Sequence, residues 1–160
     1  VSNINLLHTT GYDVAILKSS TIKIDVKEEI HIWISPSDYA NSNMMILLAY
    51  IILGHPEWKK AKIKVFSIYP KGEFEEYKIR MFDFIQDGRL PIAPQNMKMV
   101  PQDQELGTKV IINERSKNAD LTIIGFIGEL AKKKKVDAFE GYNDLGNILF
   151  VNSINNKEIE

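Results

Sequence analysis

Ile30-His31-Ile32-Trp33-Ile34, the unbroken apolar run from Met44 to Leu53, and Lys62-Ile63-Lys64-Val65-Phe66 follow one another in that order. The first and last are short and rich in β-branched and aromatic residues, which suits strands. The middle run is longer and apolar all round at helical spacing, so both of its sides need cover. Between the first strand and this helix lies Ser35-Pro36-Ser37-Asp38; with Ser42 it supplies oxygens suited to a turn and a helix cap. Strand, buried helix, strand is the repeating unit of an α/β sheet.

The same alternation extends outward. Val14–Leu17, Met97–Val100, Leu121–Ile124 and Ile148–Val151 are further strand-length apolar runs. Phe74, Tyr77, Met81 and Phe84/Ile85 recur at helical spacing with Glu75, Glu76, Lys78 and Arg80 opposite them, and Gly88 stands where a C-terminal cap belongs. Further helices are expected from about Asp103 to Asn118 and from Glu129 to about Tyr142. The expected fold is a three-layer α/β/α domain with a mostly parallel sheet of about five or six strands. It covers residues 1–154, followed by a polar tail at 155–160. The loop Gly88–Gln95, with Pro91 and Pro94, reads as an ordered crossover.

Composition narrows the function. A chain of 160 residues is the size of one domain, able to bury about 68–70% of its unfolded surface. The net charge of -1 offers no global attraction to nucleic acid, and the aromatic residues lie on apolar stripes rather than among lysines. There is no cysteine, and His8, His31 and His55 are scattered, so neither spacing nor ligand type points to a metal. The Met44–Leu53 run would make a helix of about 15 Å against a hydrocarbon core of about 30 Å, so it would not enter a membrane directly. The chain opens on Val1, and it reads as a fragment or processed product without a signal peptide.

Two stretches carry a family resemblance. Ile32, Trp33, Leu47, Leu48, Tyr50, Leu53, Trp58, Lys59, Lys62, Ile63, Val65 and Phe66 fall on one pattern: a tryptophan-bearing strand, an apolar leucine/tyrosine helix, then tryptophan-lysine and a basic strand. Ile112-Asn113-Glu114-Arg115-Ser116-Lys117-Asn118-Ala119-Asp120-Leu121 falls on a second, a helix ending in asparagine-glutamate followed by alanine-aspartate and a buried strand. Asp13–Lys18 and Ile148–Val151 echo the family's strands before and after. In order and spacing the chain resembles the cytosolic C-terminal domain of the cation–chloride cotransporters and their prokaryotic relatives. The resemblance implies a universal-stress-protein-like fold and a non-catalytic regulatory module on the cytoplasmic side of a membrane. Its partners would be the transporter's own membrane domain and a second copy, as a homodimer. His31 and Ile34 depart from the family's acid and second tryptophan, and the long animal insertions are missing; a prokaryotic member is therefore expected.

Candidate chemistry lies where strands end. In open α/β sheets ligands bind at the strands' carboxyl ends, here the loops Ser35-Pro36-Ser37-Asp38 and Gly125-Phe126-Ile127-Gly128. Ser35, Ser37 and Asp38 could hold an anion at the next helix N-terminus. Gly125 and Gly128 could wrap phosphates, as in a free-standing universal-stress-like nucleotide-binding protein, the alternative reading. That pattern then requires glycine and a hydroxyl at positions occupied by Ala138 and Phe139, so no cofactor is expected. His31 faces the same side as Trp33 and reads as packed near the core, without a partner for base catalysis. Lys132–Lys135 spreads around a helix axis and reads as a solvated surface, as do the pairs Glu75-Glu76 and Glu28-Glu29.

Overall fold

A computed structural model describes residues 11–21, 27–37, 39–87, 92–103, 105–128 and 135–154. Six strands form one sheet: β1 (Val14–Lys18), β2 (Glu29–Ile34), β3 (Lys62–Tyr69), β4 (Met97–Pro101), β5 (Leu121–Gly125) and β6 (Asn147–Asn152), in the order β1-β6-β5-β2-β3-β4. From β6 through β4 neighbouring strands run parallel. β1 pairs antiparallel with β6, Val14 opposite Asn152, and so occupies that edge. Among the described residues three helices accompany the sheet: α1 (Tyr39–Leu53), α2 (Phe74–Asp87) and α3 (Thr108–Ser116).

β2 is the central strand, and its alternation assigns the layers. Ile30, Ile32 and Ile34 are fully buried on one face against Met45, Ile46 and Ala49 of α1 and Met81 of α2. His31 and Trp33 point to the other face, where Trp33 joins Phe66, Val100, Ile111 and Ile112 beneath α3. The Trp33 and Phe66 rings stack 4.5 Å apart. A strand covered on both faces has no reason to alternate polar with apolar, and this explains its nearly continuous apolar lettering.

α1 starts five residues before the apolar run and contains no charged residue in its fifteen. The Ser42 hydroxyl does not cap it as expected; it donates to the Tyr39 carbonyl one turn earlier, at 2.5 Å. Gly54 and His55 close the helix on the carbonyls of Tyr50 and Ile52. His55 then caps a single 3-10 turn, Pro56–Trp58, by accepting from the Glu57 N–H at 3.3 Å. Among the described residues, no helix is long and apolar enough to cross a membrane.

One expected helix needs correction at its start, and another at its end. α3 begins at Thr108 rather than near Asp103, because Asp103 Oδ1 accepts the N–H groups of Glu105 and Leu106 and turns the chain there. Gly107, at φ +74°, then sets the helix entry. Of the helix expected over 129–142, positions 129–134 lie outside the described residues. Lys135–Ala138 is a 3-10 turn, and the chain leaves helical geometry before Tyr142. Lys109 of α3 donates to the carbonyls of Asp137 and Glu140, and Asn113 to that of Gly141, which fastens 137–141 to α3. The expected cap Gly88, Pro91 of the crossover, the Phe84 side chain, Lys132 and the tail 155–160 also lie outside the described residues.

Candidate functional site

The chain moves outward from β2 to β3 and β4, then returns past β2 to form β5 and β6. The sheet therefore reverses direction between β2 and β5, and the crevice above their carboxyl ends is the default ligand position. Both candidate loops stand there. Ser35 and Ser37 bring their hydroxyls within 3.0 Å of each other; Asp38 lies outside the described residues. Gly125 ends β5, and Gly128 lies three residues further along the same loop.

Side chains and backbone of the protein itself fill part of that crevice. The Phe126 N–H donates to the Val151 carbonyl at 2.9 Å, continuing the β5–β6 ladder beyond Gly125. The Phe126 carbonyl accepts from Asn41 Nδ2 at 3.1 Å and from Asn152 Nδ2 at 2.8 Å. Asn41 Oδ1 in turn accepts from the Ser153 N–H at 2.7 Å. Asp13, just before β1, takes the Ser153 hydroxyl and the Ile154 N–H. The Phe126 N–H is therefore committed to the sheet and is not free for a phosphate in this loop. Asn41 escaped sequence reading because it sits in the first turn of an apolar helix, where asparagine reads as a surface residue.

A second polar group lies on the opposite face, toward the amino ends of the strands. Trp33 Nε1 donates to Ser116 Oγ at 2.8 Å. Ser116 Oγ also lies 2.9 Å from His31 Nδ1, and His31 Nε2 lies 2.8 Å from Glu29 Oε2. Lys64 forms a salt bridge to the other Glu29 oxygen. Burial depresses the His31 pKa, outweighing the pull of Glu29, so the ring is neutral at pH 7. With Glu29 as acceptor, Nε2 carries the proton; Nδ1 then accepts from the Ser116 hydroxyl, which itself accepts from Trp33. Partial burial acts to raise the Glu29 carboxyl, but the hydrogen bonds and charges of Lys64 and His31 together hold it below its ordinary value.

Two expectations change here. His31 is packed in the core, 3% exposed, but it has partners on both nitrogens. Glu29 is a half-buried member of this chain rather than part of a solvated face; its solvated neighbour Glu28 is exposed as expected. The order serine, histidine, carboxylate has the connectivity of a hydrolytic triad. Ser116 is 0% exposed, however, and its oxygen is already occupied by an indole donor. No substrate carbonyl can reach it, and the chain instead fastens the end of α3 to β2. The partners are 85 residues apart, which is why sequence reading missed them.

The architecture has solved counterparts. The fold is universal-stress-protein-like. A crystal structure from Pseudomonas aeruginosa UCBPP-PA14, of a protein assigned to the universal stress proteins, matches with a TM-score of 0.59 and 19% identity. A functionally unknown protein from Pseudomonas aeruginosa PAO1 matches with a TM-score of 0.58 and 18% identity. In both cases the match covers 85% of this chain and 51% of the other, so this chain spans about half the length of either. No protein-family model and no curated protein matches the sequence.

Proposed function

We propose that this chain is a non-catalytic assembly and regulatory module: the cytosolic C-terminal domain of a prokaryotic cation–chloride-cotransporter-like transporter, working as a homodimer on the cytoplasmic side of the membrane. The observation that carries the proposal is α1. It has fifteen residues without a charge, and Leu47 and Ile51, one turn apart, are 39% and 62% exposed on its outer side. A helix that only met water on that side would carry charge there. The resemblance adds support, because its two dense stretches are neighbours in space: Ile30 of β2 pairs with Leu121 of β5. Hydropathy of the coding sequence upstream of Val1 tests the reading. Ten or more apolar segments of about 20 residues would support it; a start codon immediately before Val1 would overturn it.

A second reading is a free-standing universal-stress-like protein that binds a nucleotide at the β2/β5 crevice. The likeness to the Pseudomonas structures and the Gly125–Gly128 loop favour it. The engaged Phe126 N–H, with Ala138 and Phe139 in place of glycine and a hydroxyl residue, stands against it. A shift in melting temperature with micromolar Mg-ATP would put this reading first, and no shift would leave the assembly module in front.

A further inference from the structure

α3 is only nine residues long and ends at Ser116, directly over the His31–Trp33 segment. Beyond that end a cleft opens toward the amino ends of β2, β3 and β4. The strand register sets what this opening contains: His31 stands beside Lys64, and Phe66 beside Lys98. Arg115, in the last turn of α3, closes the side, and the cleft so formed has a volume of about 470 Å³. At its base the His31 and Phe66 rings tilt against each other, centroids 4.9 Å apart, and are only 3% and 6% exposed.

Charges in the cleft are unevenly matched. Lys64 and His31 are both committed to Glu29. Asp120, the other carboxylate close to His31, accepts the N–H groups of Glu28 and Glu29. Glu28 lines the rim with an exposed side chain. Lys98 and Arg115 form no hydrogen bond or salt bridge among the described residues, although they face one cavity from two different elements. A guanidinium and an ammonium facing one cleft suit an oxyanion.

We propose that this cleft binds a small soluble organic anion that carries a phosphate or carboxylate group. Lys98 and Arg115 hold the oxyanion. The site is separate from the β2/β5 crevice and from the outer face of α1, and it does not depend on the transporter reading. Because its walls are the end of α3 and the first residues of β2, an occupant acts on the same His31–Ser116 link that holds α3 to the sheet.

Phenyl phosphate is a suitable probe, titrated into the full chain at physiological salt and followed by backbone amide NMR. The expected result is saturable shifts confined to residues around 28–31, 64–66, 98 and 115–118. Lys98→Gln with Arg115→Gln, both exposed positions that the fold does not need, should weaken phenyl phosphate at least tenfold. Lys59→Gln with Lys60→Gln, which do not line the cleft, should leave affinity unchanged. Shifts spread over all surface lysines, no saturation, or equal affinity in the Lys98/Arg115 variant would overturn the proposal.

Discussion

A single hydroxyl, that of Ser116, satisfies the Trp33 indole and His31 Nδ1 inside the core. Ser116→Ala leaves a buried donor and a buried acceptor without partners while removing almost no volume. The expected cost is about 1–3 kcal/mol, read as a lower urea midpoint with an unchanged slope; a change within about 0.5 kcal/mol would mean that the network carries no stability. His31 adds a pH dependence whose sign follows from burial. Its native pKa lies below the ordinary 6.5, so as pH falls through that value the unfolded chain takes up a proton first, and stability declines. Glu29 acts in the same direction at lower pH, since its native pKa is also depressed. The urea midpoint should therefore fall between about pH 7.5 and about pH 5.5, and His31→Gln, which keeps hydrogen bonding but cannot titrate there, should flatten that slope. An equally steep slope in the variant would assign it to other groups.

Within one helix, α1 sets two kinds of apolar position side by side. Met45 is fully buried against the sheet, whereas Ile51 is mostly exposed. Met45→Ala should cost about 2–5 kcal/mol, and Ile51→Ala should stay within about 0.5 kcal/mol in the monomer. Leu47→Glu with Ile51→Glu should leave the fold intact but abolish any dimer measured by sedimentation at high micromolar concentration. A dimer that survives both changes would move the contact elsewhere. α1 and the strands were legible because hydrophobic periodicity is a local signal, and each of the expected strand runs lies within a strand of the structure. α3 and the loop after β5 were less legible. Asp103 diverts two backbone N–H groups ahead of α3, and Asn113 and Lys109 bind carbonyls about thirty residues away, at 137–141. Those decisions are made by tertiary contacts, which no window of sequence contains. The candidate site was legible only as loops. Gly125 and Gly128 mark the strand end, but the occupant of the crevice comes from Asn41, Asn152 and Ser153 on distant elements.

Across the whole molecule, stability should grade outward from the middle of the sheet. β2 has a parallel partner on each side, β3 and β5, and both of its faces lie under helices or packed loop. β1 has one partner, runs antiparallel to it, and leaves Ala15, Leu17 and Lys18 exposed. Besides the ladder to β6, Asp13 holds the residues following β6, and the Ser20 N–H donates to Asn147 Oδ1. Opening β1 therefore exposes little buried apolar surface, whereas opening β2 separates both halves of the core. Native-state hydrogen exchange should show β2 and β5 amides exchanging only through global unfolding, with β1 opening earlier as a local unit. Asp13→Ala should speed exchange in β1 and leave β2 unchanged. If β1 were protected as long as β2 in the isolated chain, its edge would have to be covered by a second copy. The dimer contact would then lie along β1, with its exposed Leu17, instead of on the outer side of α1.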